Sequence, residues 1–259
     1  MVNRRTLLSV GAATLAAAAT FPAYSRKDSD WSRIKALAFD AFAIFDLRPI
    51  ALSCEKAFPG RGTELSNAWR ARQFEYQWLR GLAGRYADFW QVTASALDFA
   101  AQSLQLDLSG SARDVLMQGY LTLKSWPDVP RALGDLRHSG RKLALLSNAT
   151  EQILNTGIKN SELDGMFHDV ISTDRIKCFK PDPRAYQLGV DILGLRKEEI
   201  MFVAFAGWDV AGSKWFGYPT YWNNRQGSTA EQLGVTADGT GASLDELTHF
   251  LSDPPAKGI

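Results

Sequence analysis

The chain has little of what metal, redox and nucleic-acid proteins are built from. Among its 259 residues are 2 cysteines and 3 histidines. Cys54 and Cys178 stand far apart, and neither belongs to a CxxC or mixed Cys/His cluster, which excludes zinc and dithiol motifs. Two separate thiols are expected. An excess of one charge is also missing, with 29 basic residues facing 28 acidic ones. No basic stripe interleaves with aromatics, so the reading includes no nucleic-acid partner. Nor is there an internal repeat or a low-complexity tract, which excludes solenoid and fibrous architectures.

The one long apolar run, residues 7–19, is short and rich in alanine, so no stable membrane anchor is expected. It follows Arg4-Arg5 and precedes the small residues 23–25. That order is the pattern of an export signal, and the paired arginines point to the twin-arginine route. Residues 1–25 are read as a signal peptide and the remainder as periplasmic. Its removal takes away two arginines and no acid, leaving 27 basic residues against 28 acidic ones. The competing reading is a basic leader that is never processed.

What the chain does have is aromatic residues, 8 Trp, 7 Tyr and 14 Phe, enough for a well-packed core. Residues 36–46 read ALAFDAFAIFD, an apolar run broken by Asp40. Further short apolar runs lie at 142–146, 167–172, 200–205 and 219–222, the last read as the final strand. Helical patterns separate them, at 131–139, 183–193 and 208–216. Between residues 48 and 127 the pattern is helical throughout, over 65–82, 86–104 and 112–123. On the first of these, Tyr76, Leu79 and Leu82 fall on one face and are expected to form a buried stripe. The expected fold is α/β: a Rossmann-like, doubly wound parallel sheet over 33–47 and 128–252, with an inserted helical cap over 48–127.

Asp40 sits at a strand tip, where open α/β sheets carry their chemistry. A carboxylate there can displace a leaving group and form an ester. A plain strand-end aspartate is the alternative. Ser147 and Asn148 close the second core strand and open a helix, where backbone N–H groups favour an anion. Their plainer role is a helix N-cap.

Four segments carry a resemblance: residues 36–46, Leu-Leu-Ser-Asn at 145–148, Lys-Pro-Asp-Pro at 180–183, and Phe-Ala-Gly-Trp-Asp at 205–209. Together they resemble the haloacid dehalogenase superfamily. The cap segments AFPGRG at 57–62, WRARQFEYQWLR at 69–80 and RYADF at 85–89 resemble its L-2-haloacid dehalogenase branch. The resemblance spans residues 34–225. It implies hydrolysis of (S)-2-haloacids to (R)-2-hydroxyacids through an ester on Asp40, with no cofactor and no metal. It makes Lys180 and Asp209 the other catalytic residues, with Tyr186 in support. Arg70 and Asn148 would take the halide, Ser147 the substrate carboxylate, and Phe42, Phe89 and Trp208 would wall the pocket. Relatives pair through cap helices, and this aromatic-rich cap allows a homodimer.

The chain departs from the family pattern at two places. The dehalogenase motif D-x-Y-G-T-L-F-D is one residue shorter here, with Phe42 for Tyr and no Thr. The stretch S-N-x-W-D becomes Phe205-Ala206-Gly207-Trp208-Asp209. These losses motivate the alternative of an exported pseudoenzyme or small-carboxylate-binding protein. A magnesium phosphatase is disfavoured, because the second Asp of its DxDxT motif is Phe42.

Overall fold

The computed structural model describes residues 31–252, and the signal peptide expected over residues 1–25 lies outside them. Six strands form the sheet: β1 (Ala36–Phe39), β2 (Lys142–Ser147), β3 (Asp169–Ser172), β4 (Ile200–Ala204), β5 (Thr220–Asn223) and β6 (Gly239–Gly241). Their order is β3-β2-β1-β4-β5-β6, and every neighbouring pair is parallel. Side chains alternate strictly between two cores. Leu37, Phe39, Leu143, Leu145, Met201 and Val203 enter one. Ala36, Ala38, Ala144, Leu146, Ile200 and Phe202 enter the other. A sheet buried on both faces needs continuous apolar strands, which is why these runs stand out in the sequence.

Ten α-helices complete the described chain. Between β1 and β2 come α1 (Ala41–Ile44), α2 (Arg48–Ala57), α3 (Gly62–Leu82), α4 (Phe89–Ser103), α5 (Gly110–Gln118) and α6 (Val129–His138). After β2 come α7 (Glu151–Asn160), α8 (Pro183–Leu193), α9 (Gly207–Phe216) and α10 (Leu244–Ser252). The chain leaves the sheet for α2 and returns after α5 along paired segments. Trp126 N–H donates to Ile44 O at 3.0 Å and Asp46 N–H to Lys124 O at 2.9 Å. Crossing over side by side satisfies backbone groups at the junction of sheet and helices.

Three expectations need correction. Residues 219–222 do not form the last strand, since β6 and α10 follow. β6 is Gly-Thr-Gly on the sheet edge and has no apolar signal to read. The helices named within the all-helical stretch 48–127 omit α2, which starts with a proline in its first turn, where the missing N–H costs nothing. The stripe expected on α3 holds only at Tyr76, which is half-buried against the core. Leu79 is 58 % and Leu82 89 % exposed, while Leu65, Trp69, Gln73 and Gln77, four residues apart, are buried. Two glutamines can occupy a buried face because their amide N–H groups are partnered. Gln73 Nε2 donates to Thr93 Oγ1 at 2.6 Å and to Tyr120 OH at 3.1 Å.

Candidate active site

The strand order reverses between β1 and β4, and the site lies beyond their carboxyl ends. Asp40 follows β1 directly. Its N–H donates to Val203 O at 3.0 Å, which ties the turn to β4. Its Oδ1 accepts from Phe42 N–H at 2.9 Å and caps α1. The Thr of the motif this segment resembles is absent, and a backbone N–H and a lysine hold the carboxylate instead.

That lysine is Lys180, fully buried on the loop between β3 and α8. Its Nζ donates to Asp40 Oδ2 at 2.9 Å and to Asp209 Oδ2 at 2.6 Å. Burial alone would lower its pKa, but the two carboxylates outweigh that and raise it. The ammonium therefore stays charged. Asp209, in the first turn of α9, also accepts from Tyr186 OH at 2.7 Å. Burial pushes the Asp209 carboxyl up to about 6, opposed by Lys180 and reinforced by the charge of Asp40. Tyr186 lies well above its ordinary value because it is buried against Asp209. Its reach depends on Gly212, where an added Cβ would collide with the Tyr186 hydroxyl.

Opposite this charged corner the cavity is aromatic. Asp40, Phe42, Arg70, Phe89, Ser147, Asn148, Trp208 and Asp209 all line it, so the expected residues come together around one space. Phe74, Gln77, Phe205 and Ala206 line it too. The Arg70 guanidinium lies 5.6 Å from the Phe42 ring centre and 5.2 Å from those of Phe74 and Phe205. Burial pushes it below the usual guanidinium value, against the pull of Tyr120 and Asp40. Two donors in this wall are shut from solvent and have no partner among the described residues: Arg70 Nη2 and Trp208 Nε1. An unpartnered buried donor costs about 1–3 kcal/mol unless something binds it.

Ser147 and Asn148 are not helix caps; Thr150 caps α7. Ser147 Oγ accepts from Ala149 N–H at 3.2 Å and keeps its own O–H as a donor. Asn148 is more heavily committed. Its amide donates to Gln77 Oε1 at 2.7 Å and to Lys180 O at 3.4 Å. Its Oδ1 accepts from Lys180 N–H at 2.8 Å and from Thr173 Oγ1 at 3.3 Å. The side chain thus holds the Lys180 backbone in place and links it to α3, leaving little capacity for a halide. Gln77 escaped the sequence reading. Its signal was a polar residue four positions from Gln73 on the Leu65 and Trp69 face.

Cys54 and Cys178 are separate, buried thiols, each pushed up to about 11 by burial. Among the described residues no group of three His, Cys, Asp or Glu side chains could hold a metal ion. No described helix is long and apolar enough to cross a membrane.

Comparison with known proteins shows the family. The family model described as haloacid dehalogenase-like hydrolase matches residues 15–217. The chain is 41% identical to the (S)-2-haloacid dehalogenase of Pseudomonas sp. (strain YL), over 86% of this chain and 97% of that protein. It is 39% identical to haloacetate dehalogenase H-2 of Moraxella sp. (strain B), over 85% of this chain and 99% of that one. Among solved structures it is similar to L-2-haloacid dehalogenase from Xanthobacter autotrophicus with chloropropionic acid covalently bound. That match has a TM-score of 0.78 at 33% identity, covering 84% of this chain and 98% of the other.

Proposed function

Because the chain belongs to the haloacid dehalogenase-like hydrolases, we propose that it hydrolyses (S)-2-haloacids to (R)-2-hydroxyacids. The observation that carries this is the cavity's two-sided build. On one side stands a carboxylate held by a buried lysine, on the other a guanidinium with an unpartnered N–H in an aromatic wall.

An Asp40 oxygen attacks C2 from behind the halogen. The new C–O bond forms as the carbon–halogen bond breaks, and the halide departs with the electron pair. One backside displacement inverts C2. Lys180 pairs with the Asp40 carboxylate at 2.9 Å and fixes the nucleophile in place. Arg70 Nη2 takes the halide, since its guanidinium retains a charge with few competing partners. Trp208 Nε1 and the Ser147 hydroxyl are the donors for the substrate carboxylate.

Water then adds to the Asp40 carboxyl carbon, and the bond from that carbon to the substrate oxygen breaks. The hydroxyacid leaves with the Asp40 oxygen, while the water oxygen stays in Asp40. Each turnover releases one halide and one proton. Lys180 and Asp209 organise this second step, and Tyr186 fixes Asp209. The homologous Ser and Asn are absent at Phe205 and Ala206, so fewer polar groups surround that water here.

Bromide or chloride release from small (S)-2-haloacids, with Asp40→Asn as control, tests the assignment. Release abolished by the substitution supports it; no release from any 2-haloacid favours the pseudoenzyme, whose support is the apolar pair at 205 and 206. Export by the twin-arginine route and a homodimer through the cap are further proposals. They rest on Arg4-Arg5 with its apolar run and on the exposed Leu79 and Leu82 of α3.

A further inference from the structure

The catalytic cavity is small. Aromatic rings close around Asp40 and leave little free space there. Beside it lies a second chamber of about 180 Å³. Arg70, Phe74, Phe205, Ala206 and Trp208 line both spaces, so these five residues are the wall between them. The smallest side chain in that wall is the methyl of Ala206, at a position where the family carries a polar residue.

Beyond the wall the lining changes character. Asn224, Gln226, Ser228 and Thr229 bring amides and hydroxyls, and Arg225 and Glu231 bring charges. Arg225 is already neutralised. Its side chain is 5 % exposed, and both terminal nitrogens lie 2.9 Å from the carboxylate of Asp128. Its Nε has no partner among the described residues. Glu231 packs against the start of α9, its Cγ only 2.9 Å from where a Cβ on Gly207 would stand. Arg70 is the unpaired cation of this lining, and the departing halide occupies it in the proposed reaction, so the rest of the chamber offers hydrogen-bonding groups and the Glu231 carboxylate. A second carboxylate would meet Glu231; a hydroxyl or amide would not be repelled.

We infer that this chamber is a subsite for the distal end of the substrate. It takes 2-haloacids with an unbranched side chain ending in a neutral hydrogen-bonding group, which passes the wall at Ala206. The inference rests on the dehalogenase reading and names its substrate class. The reacting end lies against Asp40 and the tail extends into the larger space.

The test compares kcat/KM for bromide release from 2-bromo-6-hydroxyhexanoate, 2-bromoadipate and 2-bromopropionate. The hydroxy acid is expected to exceed 2-bromopropionate by about tenfold or more, a range a few pocket contacts supply, and 2-bromoadipate to fall below the hydroxy acid. Thr229→Trp and Gln226→Trp, at exposed positions lining only the chamber, should cut the hydroxy-acid to propionate ratio by about tenfold. Bromide release from 2-bromopropionate by the same variants reports their folding. A wild-type ratio of one or less, or a ratio untouched by both tryptophans, overturns the subsite while leaving the dehalogenase intact. No bromide from any of the three acids removes the dehalogenase reading and the subsite with it.

Discussion

Lys180 Nζ lies 2.9 Å from Asp40 Oδ2 across 140 residues of sequence, and both groups are buried. The same ammonium holds Asp209 at 2.6 Å. One cation thus compensates two carboxylates in a dry corner. Removing one member of a buried charged pair costs about 3–5 kcal/mol, because the partners are left uncompensated. Lys180→Met should therefore lower the unfolding free energy by about that amount and abolish turnover. Urea denaturation alongside halide release checks both.

The acid limb of the rate profile belongs to Asp209. Its carboxyl is raised from an ordinary 3.8 to about 6, first by burial and then by the Asp40 charge, with Lys180 opposing. Turnover that needs ionised Asp209 should fall below about pH 6. The stability sign follows from the same shift. Between 3.8 and about 6 the folded protein holds this proton and the unfolded chain does not, so Asp209's contribution to stability falls as pH rises through that window. Asp209→Asn should remove that component, seen as a changed slope of unfolding free energy between pH 4 and 6.

Much of this site could be read before any coordinates, and the reason is physical. Strands buried on both faces must be continuously apolar, so the break at Asp40 marks a strand tip. Lys180, Asp209 and Arg70 came through the family resemblance, not from periodicity. The buried face of α3 was misread because hydropathy cannot see partners. Gln73 and Gln77 look exposed until Thr93, Tyr120 and Asn148 arrive from distant elements. The cost of burying an amide depends on that arrival. β6 was invisible for a different reason: an edge strand of Gly-Thr-Gly is held by pairing with β5, not by side chains.

The aromatic surround of Arg70 sets the order of leaving groups. A guanidinium flanked by Phe42, Phe74 and Phe205 meets the halide away from water, so the halide must shed its hydration. Bromide loses less than chloride, and fluoride most. Initial rates with 2-bromo-, 2-chloro- and 2-fluoropropionate should fall in that order. Arg70→Lys should cost about 10²-fold or more with all three, since a lysine supplies neither the planar fork nor its stacking.

Gly212 is a packing test of the same machinery. A methyl there collides with the Tyr186 hydroxyl, which donates to Asp209. Gly212→Ala should cost about 1–3 kcal/mol of stability through overpacking and lower kcat with it. Tyr186→Phe, which removes the hydroxyl without the crowding, should lower kcat while largely sparing stability. Thermal unfolding separates the two.

Phe205→Ser with Ala206→Asn restores the polar pair found in relatives. If water positioning limits turnover, the double variant should release halide from 2-chloropropionate faster, by up to about 10²–10³-fold, the worth of a preorganised donor. Steady-state halide release decides it, and no gain would assign the polar role elsewhere.

The ester on Asp40 is the central claim, and one turnover in ¹⁸O-water with enzyme in excess over (S)-2-chloropropionate tests it most directly. The covalent route sends the Asp40 oxygen into lactate, so the first product should be unlabelled and the peptide bearing Asp40 should carry the ¹⁸O. Labelled lactate in that first turnover, with an unlabelled Asp40 peptide, would mean that water attacks C2 directly and that Asp40 never becomes an ester.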